Sequence, residues 1–272
     1  MQAVSQEEGA REALRERLGV GARYDAAAAP ARELGWARRG TAYFARKLNE
    51  LRDEALDGAS LIPGWSRRHV VALIGYQARW QALAIEQLRT GEAVALPDQA
   101  EQAGQIVLAA TLPARALRNL FDHAEVHLNV EWRDLSNSLW ERSVRDIDGG
   151  SVAVRATPWI RARALWVHAV DLDNGGAYLD FPLGVLDALV ADIVGHWQSA
   201  GTVPDLLLQP TDRPEPVRLG AGTTAVNGRM ADLVRWLAGR GARRLEHSAP
   251  ELPALPAGPY LVGRHSRLTS LI

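Results

Sequence analysis

One stretch restricts the fold of this chain more than any other. Leu117, Phe121, Ala124, Leu128, Trp132, Leu135 and Leu139 recur at steps of four, three, four, four, three and four, the spacing that returns side chains to one face of an α-helix. A helix with a single apolar stripe is not stable alone in water and needs other apolar faces to bury against. The chain supplies them. Helical patterning runs from about Glu33 to Leu56, from Ser66 to Arg89, through the segment that carries His168, and from Pro182 to Ser199. Ser66 and Thr111, the latter followed by Pro113, read as helix starts. Helices in succession with short joins predict a mainly α fold, an antiparallel bundle.

The pattern weakens between Pro97 and Thr111, and Gly149-Gly150 reads as a turn, with short strands on either side of it. After Gly201 the texture changes. Asp205 to Gln209, Pro216 to Leu219 and Thr223 to Val226 are short and strand-like, and a helix over about Gly228 to Ala238 follows them. A small α/β domain is expected there. The expected domain organisation is an N-terminal extension over 1–32 with a helix at Glu7 to Arg17, a helical bundle over 33–201, the α/β domain over 202–250 and an extended Pro-containing tail over 251–272.

Composition then excludes several functions. The chain has no Cys, so disulfides, thiolate metal sites and a protein-borne thiol nucleophile are out. A net charge of −1 gives no electrostatic case for nucleic acid or an anionic membrane. No apolar run reaches the length of a membrane span and no secretory signal pattern opens the chain, so a cytoplasmic protein is expected.

Two helical faces carry chemistry. His69, Leu73, Tyr76 and Trp80 share one face of the helix that starts near Ser66; Arg161, Ala164, His168 and Asp171 share one face of another, while Ile160, Trp166, Val167 and Val170 lie opposite. A His on each helix invites a metal hypothesis, but a zinc site needs three or four ligands, and an imidazole hydrogen-bonded inside a bundle is the plainer reading. Asp171 either orients the His168 imidazole or solvates a helix end. His123, His127 and Glu131 are spaced by four at the border of the apolar stripe and read as a solvated rim. Arg240, just past the C-terminal helix, is read either as a dipole-complementing charge or as a fork for a carboxylate.

The strings Gly64-Trp-Ser-Arg-x-His-x-x-Ala-Leu-x-x-Tyr76 and Arg161-x-Arg-Ala-x-Trp-Val-His-Ala-Val-Asp-Leu172, with Ala116 to Leu120, Val130 to Arg133 and Val234 to Gly241 in the same order, resemble the mycothiol-dependent maleylpyruvate isomerase family. The resemblance covers roughly 36–245 and implies a four-helix bundle similar to DinB, followed by a small α/β domain. It also implies a His, Glu, His metal triad, which falls here on Leu73, Ala164 and His168. His69 lies one turn, about 5.4 Å, from Leu73 and is too far displaced to replace it, so no metal is expected. The resemblance gives Arg240 the part of substrate-carboxylate anchor and leaves His168 as the general base; Tyr76, Arg67, His69, Arg161 and Asp171 are expected to line the substrate. The expected function is a metal-independent isomerase or lyase acting on a small unsaturated carboxylate, with no bound cofactor beyond a low-molecular-weight thiol, as a monomer or homodimer. A non-catalytic small-molecule-binding or regulatory protein and a thiol S-transferase are the alternatives.

Overall fold

A computed structural model of the chain describes residues 25–146, 149–246 and 249–255, together with Gly9 and Ala13. Apart from those two residues the helix expected over 7–17 lies outside the described residues, as does the tail beyond residue 255. The chain forms two compact units, one of Met1–Arg38 and Ala72–Ala162, the other of Arg39–Val71 and Arg163–Ile272.

The first unit is a bundle. It takes the start of α1 (Ala31–Asn49), most of α2 (Arg67–Thr90), α3 (Gln99–Ala110), α4 (Ala114–Asp134), the short α5 (Asn137–Trp140), the hairpin of β1 (Ser143–Arg145) with β2 (Ser151–Ala153), and the start of α6 (Thr157–Asp171). The striped helix is α4, and Leu117, Phe121, Ala124, Leu128 and Trp132 are all buried along it. Its neighbours are tied by polar pairs at the edges of the apolar faces. Trp132 Nε1 donates to Thr157 Oγ1 at 3.0 Å, Gln81 Nε2 to Thr157 O at 3.2 Å, and Arg38 Nε to Asn129 Oδ1 at 3.0 Å. Trp36 meets Trp159 edge to face at 5.9 Å. Helices α1, α2, α4 and α6 are thus tied to one another, and α3 adds Ala103, Ile106, Ala109 and Ala110 to the buried residues of this unit.

Two local details depart from the sequence expectation. The stripe is not one helix to Leu139. Helix α4 stops at Asp134, Leu135 is extended, and the Ser136 hydroxyl accepts from Leu139 N–H to cap α5. A capping hydroxyl competes with helix continuation and wins here. The weak segment near residue 100 is a helix, α3, opened by a reciprocal capping box: Asp98 Oδ1 accepts from Glu101 N at 2.9 Å and Glu101 Oε2 accepts from Asp98 N at 2.9 Å.

The second unit contains the remainder of α1, a 3-10 turn at Asp53–Asp57, the start of α2, the end of α6, α7 (Leu183–Ala200), strands β3 (Leu206–Pro210), β4 (Val217–Leu219) and β5 (Thr224–Gly228), and α8 (Met230–Leu237). The three strands are ordered β4-β3-β5. β3 pairs antiparallel with β4, Leu206 opposite Leu219, and parallel with β5, Leu206 opposite Thr224. Leu206, Leu208, Leu219 and Val226 point into the core with Leu233, Val234 and Leu237 of α8. An aromatic group packs beneath α6: Tyr43 stacks on Trp166 at 4.9 Å and Tyr178 on Phe181 at 4.6 Å. No described helix is long and apolar enough to cross a membrane.

Candidate active site

The last turn of α6 places His168 and Asp171 three residues apart, where helical side chains meet. His168 Nδ1 lies 2.8 Å from Asp171 Oδ2. The third member comes from the end of α8. That helix ends at Leu237 and is followed by Gly239, whose φ of +74° is a left-handed conformation suited to glycine, and the next residue, Arg240, points its guanidinium at the same carboxylate. Arg240 Nη2 donates to Asp171 Oδ2 at 2.7 Å and Nε to Oδ1 at 3.2 Å, a two-pronged grip, while Nη1 donates to Ala238 O at 2.8 Å. The cluster is dry: His168 is 1 % and Asp171 0 % exposed.

Burial alone would raise the Asp171 pKa. The Arg240 charge, the His168 hydrogen bond and charge, and the Arg240 hydrogen bonds outweigh it and hold the carboxyl at about 2. Asp171 is therefore a carboxylate at neutral pH, an acceptor for the His168 Nδ1–H.

Tyr178 joins this cluster, and sequence reasoning missed it. Its hydroxyl is buried and has no hydrogen-bond partner among the described residues. Burial raises its pKa, and Arg240, Asp171 and Arg235 are close enough for their charges to act on it. The signal in the sequence is Gly175-Gly176, which turns the chain back on α6. A Cβ on Gly176 would lie 2.8 Å from Ala169 O, so Gly176→Ala has to shift backbone against backbone. Its expected cost is about 1–3 kcal/mol of stability, measured by urea unfolding; an unchanged midpoint would mean the turn does not press on α6.

Arg67 is committed to main chain: Nε donates to Leu172 O at 2.6 Å, Nη1 to Ala55 O at 3.0 Å and Nη2 to Asp173 O at 3.1 Å. It thus neutralises the carbonyl end of α6. His69 closes the start of α2, its Nδ1 2.8 Å from Ser66 Oγ and 3.3 Å from the Ser66 N–H; burial lowers its pKa, which suits an accepting, neutral ring. Tyr76 stacks on Trp80 at 5.4 Å. Arg161 is buried in an ion pair with Glu125, and its Nε and Nη1 find no hydrogen-bond partner among the described residues. The structure brings His168, Asp171 and Arg240 together. The Arg240 fork, expected on a substrate carboxylate, is here on Asp171.

At the positions that the resemblance assigns to metal ligands stand Leu73 and Ala164, both buried and without a donor atom, and His168, whose Nδ1 is held by Asp171. That set does not fit a metal ion. The rim reading also changes: His123 is exposed, but Glu131 is buried and takes the Arg89 guanidinium. An open groove of about 500 Å³ lined by Ala84, Leu88, Val94, Leu96 and Val144 includes none of the expected site residues, and Arg145 is the one charged side chain on its wall.

The fold defines a class, mainly α proteins in which a helical bundle is followed by a small α/β part, and in this chain a buried His, Asp and Arg meet at the end of α6. The family described as the mycothiol maleylpyruvate isomerase N-terminal domain matches residues 37–173, and this chain belongs to that family. Among solved structures, the mycothiol-dependent maleylpyruvate isomerase and a His-to-Ala mutant of it are each 31 % identical to the chain over 84 % of its length and 96 % of theirs, with a TM-score of 0.75. Among curated proteins no significant match was found.

Proposed function

We propose that this chain is a metal-independent cis–trans isomerase for a small unsaturated carboxylate, with His168 as its proton-transfer group. The observation that carries the proposal is the dry His168–Asp171–Arg240 chain, 2.8 Å and 2.7 Å in its two closest links, within an isomerase family. Asp171 orients the imidazole and stabilises it once charged. His168 takes the proton of a low-molecular-weight thiol; the thiolate adds to the carbon β to the substrate carbonyl, and the π pair moves onto the carbonyl oxygen as an enolate. The former double bond is now single and rotates. The enolate reforms the alkene in the trans geometry as the thiolate leaves and recovers its proton from His168. Thiol and proton are both returned, so the step balances. Tyr178, whose hydroxyl finds no partner among the described residues beside this cluster, supplies a donor for the enolate oxygen.

The test is the ultraviolet assay of maleylpyruvate with and without added mycothiol. Turnover should survive exhaustive chelation and fall about 10²–10⁴-fold in His168→Ala. Absence of turnover under every condition, with saturable carboxylate binding that His168→Ala leaves unchanged, would overturn the proposal in favour of a binding protein.

A further inference from the structure

Glu86 of α2 and His127 and Glu131 of α4 bring three ligand atoms within 4.8 Å of one another, all within the bundle unit. Their spacing is the informative quantity. His127 Nε2 lies 3.4 Å from Glu86 Oε2 and 3.6 Å from Glu131 Oε1. Both distances exceed the usual N–H···O hydrogen bond of about 2.7–3.2 Å. They match the edges of a tetrahedron around an ion held at about 2.0–2.2 Å by nitrogen and oxygen, which are about 3.3–3.6 Å long. One imidazole nitrogen faces two carboxylates at the separation that a shared ion sets.

The surroundings favour a cation. Glu131, its side chain 5 % exposed, is held by Arg89, whose Nε donates to Oε2 at 2.8 Å and Nη2 to Oε1 at 3.1 Å. This fork fixes the carboxylate and leaves further lone pairs for a metal, the arrangement that orients ligands in protein metal sites. Two carboxylates against one guanidinium leave a net negative charge. His127 and Glu86 are 36 % and 35 % exposed in their side chains, so an ion can enter and a fourth position opens to water. Glutamates alone would suit magnesium or calcium; the imidazole shifts the preference to a first-row transition ion.

We propose that Glu86, His127 and Glu131 form a divalent transition-metal site of the zinc type, clamping α2 to α4. The test is equilibrium dialysis of the full chain against zinc, repeated with cobalt for its visible absorption. One ion per chain is expected, with the intense bands of tetrahedral cobalt. His127→Ala and Glu86→Ala should lose the ion and the bands while keeping the helical circular dichroism of the unsubstituted protein. Arg89→Met should weaken binding about tenfold. His168→Ala should keep the ion. Failure to bind one zinc, or equal binding by His127→Ala, would overturn the proposal. An ion lost in His168→Ala and kept in His127→Ala would do so too, and would count against the metal-independent reading of the active site, so the two failures are distinguishable.

Discussion

Asp171→Asn is expected to lower the stability of the protein by about 3–5 kcal/mol at neutral pH, the cost of removing one partner from a buried charge cluster. The amide keeps the shape but removes the negative charge and turns into a donor one of the two oxygens that Arg240 grips through Nε and Nη2 and that His168 meets through Nδ1. Arg240, only 5 % exposed at its side chain, is then a guanidinium without its carboxylate. The same change has a signature in pH. The Asp171 pKa is depressed from 3.8 to about 2, so the native state binds this proton less readily than the unfolded chain does. Its contribution is complete above the unfolded value and is lost as pH falls through the folded one. The shift corresponds to about 2 kcal/mol lost between roughly pH 4 and pH 2. Urea unfolding over that range should fall more steeply in the unsubstituted protein than in Asp171→Asn, which has no carboxyl to titrate there. Parallel curves would show that the carboxylate is not held by Arg240 in solution. Turnover should fall with stability, because the amide no longer fixes the Nδ1–H tautomer of His168.

How far such a cluster can be read from sequence depends on the distance its members span. His168 and Asp171 share a helix at i and i+3, so the helical period alone placed them side by side. Arg240 lies 69 residues beyond Asp171; only resemblance brought it to the site, and resemblance put its fork on a substrate carboxylate where the fold puts it on Asp171. Tyr178 was invisible because its place depends on Gly176 lying against Ala169 O, a contact that no periodicity encodes. The fold was more legible. The stripe from Leu117 to Trp132 is buried as its spacing predicts, since one apolar face per turn has few alternatives. Its end was missed because a single hydroxyl, Ser136, decides it. Glu131 was misplaced on the rim for a further reason: Arg89, which makes its burial tolerable, comes from another helix.

Glu125→Ala is expected to cost about 3–5 kcal/mol, because Arg161 is 1 % exposed and would be left as a buried charge without its carboxylate partner. The paired replacement Glu125→Leu with Arg161→Met should instead be near neutral or stabilising by up to about 4 kcal/mol, since neither charge then has to be desolvated. The comparison, made by urea unfolding of the singles and the double, separates two roles for Arg161. A purely architectural ion pair predicts a stable double variant that turns over substrate with unchanged KM. A substrate-binding guanidinium, as the sequence suggested, predicts an equally stable double variant with a raised KM. The second outcome is the expected one. Arg161 keeps Nε and Nη1 without a hydrogen-bond partner among the described residues, and buried donors of that kind cost about 1–3 kcal/mol each when nothing satisfies them. An acceptor atom of a ligand placed at either donor would satisfy it. A double variant that is stable and unchanged in KM would assign those two donors to water and leave Arg161 a structural residue.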